Sequence, residues 1–184
     1  MIGKTFWQDA SKGGAVLGLV NLAEIAIAIF LPGLASIVGV VSLVATIYLM
    51  IYFTRQRVPL YGHYGFSFAQ CMDFILAMGI FAGVVQGVGQ AVMANWVLYE
   101  YYNELYVISQ QQTMELYGGM IPAEQLAQMG EITRMMFFSP IFVVISNIYS
   151  NVLGKGFLGL FASFAIKRNP DIFYNGNDYT TNNE

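Results

Sequence analysis

The sequence predicts an all-α membrane protein: a bundle of four transmembrane helices with a helical outer connection between the third and fourth. Three observations predict it. First, 57% of the 184 residues are hydrophobic and 10% are charged, and the mean hydropathy is +0.56. Soluble domains carry roughly a quarter charged residues. A chain of this length has no core large enough to hide so much apolar surface from water, whereas a lipid solvent accepts it. Second, four apolar runs reach the roughly 20 residues that a helix needs to cross the hydrocarbon core. Third, the Lys and Arg residues gather at matching ends of those runs.

The first run covers residues 13–31 and the second 34–53, with Pro32-Gly33 between them as the turn of a helical hairpin. The third covers 72–99 and the fourth 137–166. None alternates apolar and polar residues with period two, which excludes barrel strands. Backbone groups in lipid must be satisfied within the segment, so helix is the remaining reading. Residues 1–168 form one four-span domain, and 169–184 a polar tail with Asn175, Asn177, Asn182 and Asn183. Lys4 and Lys12 before the first run, and Gly33-Leu34-Ala35 after it, imitate a cleavable signal. The run is longer than a typical signal core and a second span follows at once, so it reads as a retained helix.

Orientation follows from basic residues. Lys4 and Lys12 precede span one, Arg55 and Arg57 follow span two, and Lys167 and Arg168 follow span four. An even number of spans puts all three groups on one side, expected to be the cytoplasm. The connection 100–136 then faces outward, with Glu100, Glu104, Glu115, Glu124 and Glu131 against Arg134. Tyr48, Tyr52 and Phe53 at one boundary, and Trp96, Tyr99, Tyr101 and Tyr102 at the other, suit the membrane interfaces. Within the connection, Leu126, Met129, Ile132 and Met136 share a helical face behind Pro122. Gly118-Gly119 separates this from the Gln-rich stretch 103–117. A short helical hairpin is expected, either a cap for a partner or a helix that rests on the membrane or extends span four.

Small residues recur every fourth position: Gly14 and Gly18 in span one, Gly79, Gly83 and Gly87 in span three, and Ser146, Ser150 and Gly154 in span four. Such faces let backbones approach closely, between the chain's own helices or in a homodimer seam. Polar residues also share helical faces: Asn21 with Glu24 three apart, Gln86 with Gln90 four apart, and Asn147, Asn151 and Lys155 each four apart. Lipid exposure of a charge costs at least a few kcal/mol, so these groups are expected to turn inward and meet as a polar spine. At ~1.5 Å rise per residue, Glu24 and Lys155 both lie roughly 17 Å deep and are expected within ion-pair reach. Gln86 matches Asn151 in depth, and Gln90 matches Asn147. The spine is either a transport path or a structural ion pair with bonded amides. Asp73 is expected to cap the third helix. His63, in the loop 54–70, is either a pH-sensitive group or simply solvated.

Other classes find no support. A net charge of -3 and no basic stripe with interleaved aromatics argue against nucleic acid. One cysteine, Cys71, excludes an internal disulfide, and with one histidine leaves no metal-ligand set. Gly87-Val88-Gly89 lies inside a span, and Gly154-Lys155-Gly156 lacks the remainder of a phosphate loop. No hydrolase or metalloprotease motif occurs, so neither catalytic residues nor a cofactor are expected.

Several segments together resemble a known family. Phe6-Trp7-Gln8-Asp9-Ala10 leads into Gly14-Ala15-Val16-Leu17-Gly18-Leu19-Val20, and Tyr64-Gly65-Phe66-Ser67-Phe68-Ala69-Gln70 precedes span three. Ser139-Pro140-Ile141-Phe142 opens span four, which ends in Ala165-Ile166-Lys167-Arg168-Asn169-Pro170. Over nearly the whole chain this resembles the domain of unknown function 4199 family of small bacterial membrane proteins. The resemblance implies four transmembrane helices, a Gram-negative inner membrane and no assigned activity. It offers a polyprenyl-phosphate-type glycosyltransferase as candidate partner. Lys155 is not part of the family pattern. The expected function is a non-catalytic accessory subunit that contacts the bilayer and either a membrane-protein partner or a second copy. The alternative is a small transporter or flippase-like protein that uses the spine.

Overall fold

The computed structural model describes residues 2–170. The predicted tail lies outside the described residues from position 171 onward. Six α-helices follow in order: α1 Ile2–Phe30, α2 Ala35–Arg55, α3 Phe68–Val92, α4 Tyr99–Tyr117, α5 Ala123–Phe138 and α6 Pro140–Ile166. α1, α2, α3 and α6 are long and apolar enough to cross a membrane. The chain is an all-α membrane bundle.

Helix ends follow local chemistry. α1 starts eleven residues before the apolar run, at Ile2 rather than 13, because hydrophobicity marks the lipid-facing part of a helix and not its end. Pro32 opens a short 3-10 turn, Pro32–Leu34, and α2 follows directly. α3 begins at Phe68 on a capping box. The Ser67 hydroxyl accepts from Gln70 N, while the Gln70 side chain accepts from Ser67 N. Asp73 is therefore not the cap; it sits exposed in the second turn. After Val92 the helix widens into a π turn, Met93–Val97, where Leu98 N reaches back to Met93 O at 2.7 Å. Asn95 Nδ2 binds Ala91 O at 3.0 Å beside it. α6 begins at Pro140, not 137, because proline holds Ser139 extended and ends α5 there.

α3 is the central helix. Of its most apolar window 44% is buried, against 17% in α2 and in α6. Two glycine faces explain its position. A Cβ at Gly83 would collide with Ile148 Cα, and one at Gly87 would lie 2.7 Å from Val144 Cα. At Gly79 the approach is looser, 3.4 Å from Asn151 O. α3 and α6 thus run antiparallel in near backbone contact. On the opposite seam, a Cβ at Gly14 would sit 2.6 Å from Met78 O, and one at Gly18 2.7 Å from Ala82 O. α1 lies parallel to α3 there, as two helices on either side of a returning α2 must. Both predicted glycine faces serve contacts within the chain. Ser150 and Gly154 do not: a Cβ at Gly154 meets nothing within 4 Å, and Ser150 is exposed. Ser146 is half-buried and bonds its own helix at Val143 O, 3.1 Å.

α2 packs along α1 and barely touches α6. Its inward face is a stripe of Ser42, Thr46, Met50 and Thr54, while Ile37, Val40, Val41 and Val44 stay exposed as lipid-facing groups do. The apolar core lies toward the end where α1 and α3 begin. It joins Leu17, Met50, Phe66, Phe74, Ile75 and Met78. There Arg57, which is 1% exposed, donates to Asp9 Oδ2 at 2.6 Å and stacks over Phe6 and Phe74 at 5.3 and 5.1 Å. The same end is closed by a clasp: Phe66 N donates to Arg168 O at 2.8 Å and Arg168 N to Phe66 O at 2.9 Å.

Candidate functional site

The polar spine assembles between α1, α3 and α6. Asn21 Nδ2 donates to Gln86 Oε1 at 2.9 Å and to Asn151 Oδ1 at 3.0 Å. Asn151 Nδ2 donates to the same Gln86 oxygen at 2.9 Å and to Asn147 O at 2.8 Å. One step toward the π turn, Asn147 Nδ2 donates to Gln90 Oε1 at 2.9 Å and to Val143 O at 2.8 Å. The structure thus joins Gln86 to Asn151 and Gln90 to Asn147, the pairs matched in depth. In lipid each amide would otherwise lack a partner, so mutual bonding of residues from three helices fixes their register.

The charged pair departs from expectation. Lys155, 4% exposed, donates to Asn151 Oδ1. Glu24 Oε2 accepts from Ser42 Oγ. No oxygen of Glu24 comes within 4.0 Å of Lys155 Nζ, so the expected ion pair is absent. The reason is the placement of α2: Ser42 offers Glu24 a nearer hydroxyl, and a gap separates α2 from α6.

That gap is a cavity of about 470 Å³, lined by Asn21 and Glu24 of α1, Gly39, Ser42, Leu43 and Thr46 of α2, Gln86 of α3, and Ser150, Asn151, Gly154, Lys155 and Leu158 of α6. Small-molecule sites span ~300–1,000 Å³, so one polar group with a few attached atoms fits. The lining residues lie near the middle of all four spans. Gln90 and Asn147 do not line it; they bond each other one step toward the π turn. Bonding within the floor is nearly saturated. Gln86 Oε1 and Asn151 Oδ1 each accept two bonds, and both N–H groups of Asn21 and of Asn151 are used. Among the described residues Gln86 Nε2 and Asn21 Oδ1 have no protein partner, and neither atom is sealed from the cavity.

Ser42 and Thr46 were missed from sequence as site residues. Their signal was there: hydroxyls at 42, 46 and 54 keep the four-residue spacing that singled out the amides. Among the described residues no three His, Cys, Asp or Glu side chains gather at one place. His63 is exposed in the 3-10 segment Val58–Tyr64, remote from the cavity. No family profile, no curated protein and no solved structure matches this chain.

Proposed function

We propose that this chain is a non-catalytic membrane protein that holds a polar group in mid-membrane and passes it across, in the manner of a small carrier or flippase. The observation that carries this reading is the cavity itself. A purely structural spine would be packed and dry, with its two charges joined. Here roughly 470 Å³ stands open among them, and Glu24 and Lys155 each face it without meeting. Intramembrane charges that face a cavity are by default read as marks of a substrate path. The direct test is reconstitution. The purified chain alone moves a labelled polar solute or lipid across liposomes, and a Gln86→Leu variant of wild-type helicity does not. Equal rates with and without the protein overturn the proposal.

A second reading, an accessory subunit of another envelope protein such as a membrane glycosyltransferase, is favoured by the α4–α5 hairpin. Of its face of Leu126, Met129, Ile132 and Met136, only Leu126 is half-buried and the other three are exposed, with Met114, Leu116 and Met120 near the tip. The hairpin instead closes on Gly130, against which the Gln110 side chain lies. We place the chain in a bacterial inner membrane with both termini cytoplasmic, on the strength of the basic residues at one end of the bundle, and in the family named above on the strength of its quoted motifs.

A further inference from the structure

We infer that the cavity takes a zwitterion, an ammonium joined to a phosphate by a short linker, and that this group enters sideways as the head of a membrane lipid. This rests on the carrier reading and adds the ligand class. Two unsatisfied charges of opposite sign line one cavity. Glu24 uses one oxygen on Ser42, and its other oxygen, nearest Gly39, receives no hydrogen bond. Lys155 gives one N–H to Asn151, which leaves two. A cation would satisfy Glu24 alone and an anion Lys155 alone, and either would leave a net charge in a medium that penalises it. A zwitterion answers both groups and keeps the sum at zero. Gln86, which also lines the cavity, adds its Nε2 as a donor for phosphate oxygen.

The route of entry follows from the walls. α2 and α6 face each other across the gap with Gly39, Ser42 and Thr46 on one side and Ser150 and Gly154 on the other. These side chains are small, while Leu43 and Leu158 also line the gap. Just outside, Val40, Leu153 and Phe157 are exposed to the bilayer, where acyl chains would lie. A lipid keeps its tails in hydrocarbon while its head occupies the cavity. A free zwitterion would have to cross the membrane interface first.

Native mass spectrometry of the full chain in mild detergent tests this. The probes are phosphatidylethanolamine and phosphatidylglycerol of matched acyl chains, in equal amounts, and free glycerophosphoethanolamine, the same zwitterionic phosphodiester without tails, separately. Wild type is expected to retain phosphatidylethanolamine at least about tenfold over phosphatidylglycerol, a discrimination of ~1.4 kcal/mol. Glu24→Gln, which keeps the shape and removes the charge, should bring the ratio to about one. Gly154→Leu fills the open space and should lower retention of both lipids. Binding that Gly154→Leu removes, without preference for the zwitterion in wild type, overturns the ligand class and leaves the cavity reading standing. Retention unaffected by Gly154→Leu overturns both. Free glycerophosphoethanolamine binding as tightly as the lipid keeps the zwitterion and overturns sideways entry. The wild-type ratio needs no variant to fold.

Discussion

The two glycine seams and the open face of α6 make a graded experiment from one substitution, Gly→Ala, at three positions. At Gly83 the added methyl collides with Ile148 Cα, and Ile148 N is 2.8 Å away. Backbone cannot rotate aside, so α3 and α6 must separate locally and lose packing along the seam. Overpacking of this kind costs about 1–3 kcal/mol. At Gly79 the methyl arrives 3.4 Å from Asn151 O and Val152 Cα, ordinary contact that leaves stability within about 0.5 kcal/mol. At Gly154 it meets nothing within 4 Å. Alanine's higher helix propensity matters little here, because unfolding in a membrane or detergent leaves the individual helices largely intact. The expected order of stability is therefore Gly154→Ala equal to wild type, Gly79→Ala close to it, and Gly83→Ala lower by about 1–3 kcal/mol. Titration with a denaturing detergent, followed by the fluorescence of Trp7 and Trp96 and by elution on size exclusion, reads all three. If Gly83→Ala matches Gly154→Ala, the α3–α6 seam does not hold the bundle together and the packing argument fails.

Other outcomes can be checked alongside. Arg57→Lys is expected to destabilise by about 1–3 kcal/mol, because an ammonium cannot stack on Phe6 and Phe74 while reaching Asp9; an unchanged midpoint in the same titration counts against it. Ser67→Ala should cost about 1 kcal/mol through loss of the α3 cap, and Asp73→Ala close to nothing; a larger effect at Asp73 reverses the assignment. For topology, single cysteines at Gln125 and Asn182 in a Cys71→Ala background should label from the periplasm at 125 alone. Labelling at 182 alone inverts the orientation.

The membrane bundle was legible because lipid imposes a coarse rule: long apolar runs must be helices. The amide contacts were legible too, since residues four apart share a face and helices of known direction bring equal depths together. Three things were not. Helix ends are set by caps, so α3 began at the Ser67–Gln70 box and α6 at Pro140, not where hydrophobicity rises. The same two devices carry the family-like motifs Phe66-Ser67-Phe68-Ala69-Gln70 and Ser139-Pro140-Ile141-Phe142, whose residues start helices. Lateral placement was hidden as well. Depth alone put Glu24 beside Lys155, but α2 stands off from α6 and supplies Ser42 to the carboxylate. Arg57 read as a topology marker, because nothing in its local sequence announces Phe6, Asp9 and Phe74 around it.

The cavity's walls differ in how firmly they are held. α1, α3 and α6 meet backbone to backbone at Gly14, Gly18, Gly83 and Gly87, and amides cross-link them at Asn21, Gln86 and Asn151. Neither kind of tie reaches the wall made by α2. Apart from its packing on α1, its lighter contacts with α3 and α6 and the burial of Met50 in the apolar core, that wall is tied to the polar residues by the bond from Ser42 to Glu24. A guest that bonds the other Glu24 oxygen leaves that bond in place. The site can therefore fill without loosening α2, and the three-helix slab behind it is its firm back wall.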